Sequence, residues 1–174
     1  SIQKSIVKIK KEVGENVLVV AVSKTKPVDA IESVYETGHR DFGENKVQEM
    51  TSKHNDLPKD INWHMIGHIQ TNKVKYLAPY VSLIHSLDSL KLANEINKQA
   101  IKNDRVINCL IQYRISNEET KFGLNENEIM EIINLEDNYK GIRIIGLMGM
   151  ASFVNNKNII DSEFKKLKLL FDKI

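Results

Sequence analysis

Short apolar runs alternate with longer amphipathic segments along this sequence. The runs are rich in β-branched residues, and this composition together with their short length favours strands over helices. They cover residues 17–23, 40–43, 62–66, 81–85, 106–113 and 142–148. Strands that alternate with helices through short connections run parallel and are joined by right-handed crossovers. The alternation therefore predicts a parallel α/β fold.

The segments between the runs are expected to be helices. They cover residues 1–13, 29–37, 46–53, 71–77, 89–102, 125–135 and about 161–174. Two of them have a recognisable start signal, because Asp88 or Ser89 precedes one helix and Asn125 stands three residues before Glu128 in the next. In the last helix the apolar residues recur at helical spacing and make one stripe. The stripe consists of Phe164, Leu167, Leu170, Phe171 and Ile174.

Two parallel architectures fit this alternation, an α/β barrel and an open doubly wound sheet. No glycine-rich loop follows the first run, so the dinucleotide-binding version of the open sheet has no support. The sequence thus favours a TIM-type (β/α)8 barrel, which needs eight strands and typically at least about 200 residues. With 174 residues and only six visible strand–helix units, we expect a single barrel domain over residues 1–174 that is truncated after about six units, with strands seven and eight missing.

Charge and cysteine content exclude several classes of protein. The net charge is +2, from 25 basic and 23 acidic residues without a long block of one sign, so we expect neither nucleic acid nor a membrane surface as a partner. No segment approaches the roughly 18 apolar residues of a membrane span. The single cysteine, Cys109, lies in an apolar run and is expected to be a core residue, and the histidines show no metal-ligand spacing. These features predict a cytoplasmic protein with a small-molecule ligand and leave its protein partners open.

The first strand ends on a lysine, in the stretch VLVVAVSKTKP from Val17 to Pro27. Side chains alternate along a strand, so Val20 and Val22 share a face with Lys24, and functional groups of parallel α/β folds gather at the carboxyl ends of strands. A lysine that caps such an apolar column is expected to be partly desolvated, which favours the neutral amine that attacks an aldehyde. The alternative is an ordinary solvated lysine, because 21 of the 25 basic residues are lysines. Lys26 has the same parity and ranks second.

Two polar residues near other strand ends are candidate companions of Lys24. Asn45 follows the second predicted strand and His64 lies in the third. An amide and an imidazole can each hydrogen-bond a phenolate oxygen or lie beside an aromatic ring. A buried histidine that simply finds a partner within the core is an equally open explanation of His64.

Four motifs resemble a known family in order and spacing. They are AVSKTKP, FGEN at Phe42 to Asn45, WHMIGHIQTNK at Trp63 to Lys73 and GLMGM at Gly146 to Met150. Together they resemble the YggS/PROSC family of pyridoxal phosphate homeostasis proteins. The resemblance implies a fold similar to the amino-terminal barrel of alanine racemase, with pyridoxal 5′-phosphate as the cofactor.

The same resemblance implies a set of cofactor-binding residues. The first lysine of SKTKP, Lys24, is expected to hold the cofactor as a Schiff base, and Asn45, His64, Ser86 and Met148 are expected to be its neighbours. Members of the family resemble carriers or regulators of vitamin B6 and amino acid balance, with no established reaction. Nothing in this sequence matches the later family segment that binds the cofactor phosphate.

Three functions therefore stay open at the level of sequence. The first is a pyridoxal phosphate-binding protein of vitamin B6 homeostasis rather than catalysis. The second is a small alanine racemase-like enzyme, which would need a second acid or base that neither Tyr113 nor Tyr35 is marked to supply. The third is a phosphate-binding barrel or an interaction protein without pyridoxal phosphate.

Overall fold

The structure is a computed structural model, and it describes residues 1–118 and 122–174. Its strands form one six-stranded sheet in which neighbouring strands run parallel. The strands are β1 Ala21–Val22, β2 Asp41–Glu44, β3 Asn62–Met65, β4 Leu83–Leu87, β5 Ile107–Tyr113 and β6 Ile142–Gly149. The α-helices are α1 Ile2–Val13, α2 Val28–Tyr35, α3 Val47–Asp56, α4 Val74–Leu77, α5 Leu90–Lys102, α6 Glu126–Asn134 and α7 Lys157–Lys173. Two short 3-10 helices, Thr71–Lys73 and Glu136–Asn138, complete the described elements.

The strand order decides between the two predicted architectures. The order is β1-β2-β3-β4-β5-β6, so every strand pairs with its successor in the chain. A doubly wound sheet reverses its strand order at a switch point, whereas a barrel is wound in one direction. The prediction of barrel-type winding is therefore correct. Within the described residues β1 and β6 are the two edges of the sheet, and the expectation that strands seven and eight are missing stays a prediction.

The two faces of the sheet differ in what covers them. Phe42 and Glu44 of β2 point towards the helices, since Phe42 contacts Trp63 in the core and Glu44 contacts Lys53 of α3. Residues of the opposite parity form what we call the inner face, the side of the sheet that carries Gly43 and its register partner His64. Helix-side residues make up most of the core. Its largest fully buried members are Trp63, Phe42, Ile31, Met50, Met65, Leu77, Ile84, Leu87, Leu92, Ile96, Ile107 and Ile111.

Cys109 belongs to this core, as predicted. Its side chain is fully buried, and the burial raises the pKa of its thiol to about 12. A thiol of this kind stays protonated at neutral pH and packs as a small apolar group. In the described part of the chain, no helix is long and apolar enough to cross a membrane.

The elements at the edges of the sheet carry exposed apolar side chains. The run 17–23 is predicted to be one strand, but β1 comprises only Ala21–Val22, and Val17, Leu18 and Val22 are 51 to 64% exposed. The predicted stripe of α7 is buried at Leu170, while Phe164, Phe171 and Ile174 are about half exposed. The physical reason is common to both, because an edge strand has a neighbour on one side only.

The predicted helix starts are largely correct. Ser89 caps α5 by accepting a hydrogen bond from the backbone N–H of Leu92. Asn125 and Glu128 form a reciprocal capping box at α6, with hydrogen bonds of 3.0 Å and 2.8 Å. The start of α7 was placed too late, because Asn156 caps the helix and Lys157 begins it.

The capping box gives a test of the fold. We expect Asn125→Ala to lower the free energy of unfolding by about 1 kcal/mol, because the backbone N–H of Glu128 at the start of α6 loses its acceptor. Asn125→Asp keeps the acceptor and should leave stability close to that of the parent protein. Urea unfolding of the three proteins measures the difference. Equal stability of the alanine and aspartate variants would contradict the capping role.

Candidate functional site

Lys24 lies just beyond the carboxyl end of β1. It lies in a turn that the Lys26 N–H closes by donating to the carbonyl of Ser23 (3.0 Å). The side chain is exposed, and among residues 1–118 and 122–174 the structure gives its ammonium group no hydrogen-bond or ion-pair partner. The expectation that this lysine is partly desolvated is therefore wrong in the described structure. The cause is again the edge position of β1.

The backbone on both sides of Lys24 is held in place by hydrogen bonds. The Ser23 N–H donates to the carbonyl of Gly43 (2.9 Å), and the Ser23 hydroxyl donates to Oε1 of Glu44 (2.6 Å). On the other side, the Thr25 N–H donates to Oε1 of Glu49 (2.6 Å). Thr25 has a φ of 62°, in the left-handed region that few residues other than glycine adopt. Lys24 thus sits between two anchored residues, one of them in an unfavourable conformation.

The anchors are parts of a buried ionic group that we call the Lys53 cluster, consisting of Glu44, Glu49 and Lys53. The Lys53 ammonium donates to Glu44 (2.6 Å), to Glu49 (2.7 Å) and to the carbonyl of Ser23 (2.7 Å). The side chains of Lys53 and Glu44 are 8% and 0% exposed. A buried lysine is therefore fully paired directly beneath the backbone that presents Lys24.

The two carboxylates of the Lys53 cluster respond differently to their surroundings. Burial raises the pKa of Glu44, while hydrogen bonds from Lys53 and Ser23 act in the opposite direction. The hydrogen bond from Lys53 lowers the pKa of Glu49, which is closer to solvent. Glu44 Oε2 is buried without a hydrogen-bond partner among the described residues. Both carboxylates pair with the Lys53 ammonium on the helix side of β2.

His64 is buried on the inner face, and both of its ring nitrogens are engaged. Nε2 lies 3.0 Å from Oδ1 of Asp41, and Nδ1 lies 2.8 Å from Nε2 of His85. The register pairs His64 with Gly43, which is level with Val22. Two residues along a strand correspond to about 7 Å, so His64 lies roughly one side-chain layer below Lys24. The ring nitrogens of His64 are thus occupied by the protein itself.

The other three predicted residues lie at or near the same end of the sheet. The fully buried hydroxyl of Ser86 donates to the carbonyl of Gly67 (2.6 Å). Gly67 follows β3 and touches the loop after β2, because an added Cβ there would lie 2.3 Å from the carbonyl oxygen of Asn45. Asn45 and Met148 are each partly exposed, and Met148 is in register with Gln112 near the end of β6. The structure thus brings the β2 and β3 loops together, while the roles of these residues stay predictions.

Sequence reasoning missed the Lys53 cluster and the Asp41–His64–His85 chain. One signal was present, since Glu49 and Lys53 are four residues apart on a predicted helix and such pairs face each other. The link from Glu44 to Lys53 crosses a turn between strand and helix. Spacing alone does not reveal a contact of that kind.

Comparison with known proteins identifies the family. Residues 1–174 match the family described as alanine racemase, N-terminal domain. A pyridoxal phosphate homeostasis protein of Aquifex aeolicus is 39% identical over 163 residues, which are 92% of this chain and 72% of the relative. The protein of the same name from Haemophilus influenzae is 35% identical over 179 residues, covering 99% of this chain and 76% of the relative. This chain belongs to the pyridoxal phosphate homeostasis protein family.

Solved structures agree with the family assignment. PipY from Synechococcus elongatus, a structure with pyridoxal phosphate bound, superposes with a TM-score of 0.90 and 27% identity over 99% of this chain and 81% of PipY. An alanine racemase from E. faecalis superposes with a TM-score of 0.79 over 97% of this chain and 48% of its own, at 12% identity. The second likeness concerns the fold alone. Both the predicted family resemblance and the predicted barrel class are confirmed.

The buried pair of His64 and His85 contains one histidine, His85, whose pKa is shifted. Burial, and to a smaller extent the neighbouring His64, lowers the pKa of His85 to about 4. An unfolded histidine titrates near 6.5, so the unfolded chain binds more protons between about pH 6.5 and 4, and stability should fall as the pH drops through this window. We expect NMR titration of the His85 ring to give a midpoint near 4.

The matched variant is His85→Asn, which removes the titrating group. Its free energy of unfolding should fall less steeply than that of the parent protein between pH 6.5 and about 4. A titration midpoint of His85 near 6.5 would contradict the prediction that this residue is buried and neutral above about pH 4. So would an identical pH dependence of the free energy of unfolding in the two proteins.

Proposed function

We propose that this chain binds pyridoxal 5′-phosphate through Lys24 and serves vitamin B6 and amino acid homeostasis. The observation that carries the proposal is the position of Lys24, an unpaired lysine whose two neighbours in sequence are both anchored, at the carboxyl end of β1. The relatives from Aquifex aeolicus and Haemophilus influenzae bear the name pyridoxal phosphate homeostasis protein, and the PipY structure holds pyridoxal phosphate. These likenesses support the same ligand here.

The residues near Lys24 fit such a ligand. When bound, pyridoxal phosphate supplies an aldehyde carbon that a neutral lysine amine can attack with loss of water. Lys24 has an amine with no competing partner among the described residues, and the carboxylates of the Lys53 cluster are paired with Lys53. A partly exposed amide at Asn45 and the thioether of Met148 can offer a hydrogen bond and an apolar contact to an aromatic ring.

Ser86 and His64 have supporting roles in this proposal. The Ser86 hydroxyl holds the carbonyl of Gly67 and so fixes the loop after β3. His64 fixes the layer beneath Lys24 through Asp41 and His85. Both residues therefore shape the surroundings of the ligand through other residues, and Lys24 is the residue that binds it covalently.

The alternative function is a small alanine racemase-like enzyme, and the two tyrosines weighed for it are poorly placed. The Tyr113 hydroxyl donates to Glu126 of α6 (2.9 Å), and burial together with this hydrogen bond raises its pKa to about 12. The Tyr35 hydroxyl donates to Asp60 (2.7 Å), and the Tyr35 ring stacks beneath the Arg40 guanidinium. Neither hydroxyl is directed at Lys24, and this favours ligand binding over turnover.

Covalent trapping tests the proposal directly. We expect added pyridoxal phosphate to give a visible absorption band that borohydride removes, with a pyridoxyl group fixed on Lys24 in peptide mapping. Lys24→Ala should lose the band and keep its melting temperature, because an exposed side chain contributes little packing. Lys26→Ala is the matched control and should keep the band. A label found mainly on Lys26, or spread over many lysines, would overturn the assignment.

Turnover assays separate the two functions. The loaded protein should racemise or transaminate free amino acids only at trace rates, because the hydroxyls of Tyr113 and Tyr35, the two candidates for a second acid or base, donate to Glu126 and Asp60. Rates on the order of 1 to 1,000 per second would instead be those of an ordinary enzyme. Such rates with alanine as substrate would favour the racemase alternative.

A further inference from the structure

We propose that the Lys53 cluster positions Lys24 by fixing the backbone on both sides of it, and that Glu49 holds the backbone on the Thr25 side. The inference rests on the proposed function of Lys24 and adds three residues that act on it through the backbone. Their side chains form hydrogen bonds with Ser23 and Thr25, the two neighbours of Lys24 in the sequence.

The contacts of the cluster are concentrated on the two peptides that flank Lys24. Lys53 binds the carbonyl oxygen of Ser23 and Glu44 binds the hydroxyl of the same residue. Glu49 receives the N–H of Thr25. The two attachment points are thus joined to one another through a single ammonium group, which contacts both carboxylates. The cluster therefore sets the direction in which the intervening Cα presents its side chain.

Thr25 gives a reason why such a device is needed. Its φ of 62° is unfavourable for a residue other than glycine, so the conformation persists only where its surroundings impose it. The hydrogen bond to Glu49 at 2.6 Å is the side-chain contact that the structure gives to this peptide N–H. Without it, the backbone after Lys24 keeps the turn hydrogen bond from the Lys26 N–H to the Ser23 carbonyl (3.0 Å) but loses the contact that fixes the Thr25 peptide.

Glu49 is also the best place to test the inference. Its side chain is 26% exposed, whereas Glu44 and Lys53 are buried and their loss would leave an unpaired charge in the core. Glu49→Ala removes the acceptor for Thr25. Glu49→Gln removes the charge and keeps an oxygen that can accept the same hydrogen bond. Glu131→Ala, at an exposed glutamate of α6, is the matched control.

The first measurement uses the protein without ligand. Amide hydrogen exchange at Thr25 should be about tenfold faster in Glu49→Ala than in the parent protein, because the N–H loses its acceptor. Glu49→Gln should restore much of the protection, and Glu131→Ala should leave it unchanged. Thermal unfolding of each variant reports whether it is folded. Equal exchange rates at Thr25 in folded Glu49→Ala and parent protein would overturn the inference.

The second measurement uses pyridoxal phosphate as the probe. In Glu49→Ala the apparent affinity should fall on the order of tenfold, because a loosely held reacting group loses orientation. After borohydride trapping, a larger share of the label should appear on Lys26, a change that mere loss of stability would not produce. Glu49→Gln should return the label to Lys24.

The two measurements distinguish failure of the inference from failure of the proposed function. If the parent protein gives no visible band and no label on Lys24, the proposed function is wrong. The hydrogen-exchange experiment then remains the test of whether the Lys53 cluster holds the backbone around Lys24. If the parent protein is labelled at Lys24 and folded Glu49→Ala is labelled at the same site with the same affinity, the proposed function stands and the positioning role is wrong.

Discussion

The pairing of each strand with its successor is the constraint on which the rest of this structure depends. Parallel neighbours in chain order, joined by right-handed crossovers, place the helices on one face of the sheet and all carboxyl ends at one rim. Residues far apart in sequence, such as Lys24, Asn45 and Gly67, thereby reach the same end. The same constraint leaves β1 and β6 with one neighbour each in the described residues, and every departure from the expected burial lies at these two strands or the helix beside them.

The Lys53 cluster is hard to explain as a source of stability. Burying an ammonium and a carboxylate carries a desolvation cost that their attraction often only balances, and well-packed apolar residues of similar volume can do as well. Removing one partner is different, since an uncompensated buried charge costs about 3–5 kcal/mol. A cluster of this kind therefore contributes little net stability but holds a particular geometry firmly. In this protein the geometry that it holds is the backbone around Lys24.

Much of the fold could be predicted from the sequence, and the failures share a physical origin. The Asn125–Glu128 capping box could be predicted because its two partners are three residues apart in the sequence. The burial of Cys109 could be predicted because an apolar run needs no particular partner in the core. The strand β1 is shorter than predicted and leaves out Val17 and Leu18, because strand pairing depends on a neighbouring strand that the sequence of the run does not specify. The site was predicted at the level of motifs, whereas contacts such as Glu44 with Lys53 depend on how a strand and the following helix meet.

The exposure of Lys24 changes the explanation of why this lysine should be chosen among 21. Desolvation was the expected cause, but the structure does not bury the side chain. Lys24 differs from an ordinary surface lysine in its backbone, which is anchored on both sides. A lysine on a flexible backbone samples many orientations and loses that conformational freedom when it reacts. Anchoring Ser23 and Thr25 reduces that loss before a ligand arrives. A lysine whose backbone is anchored can therefore be favoured for reaction without being buried. The residues that anchor this backbone are then as important for the reactivity of Lys24 as those around its ammonium group.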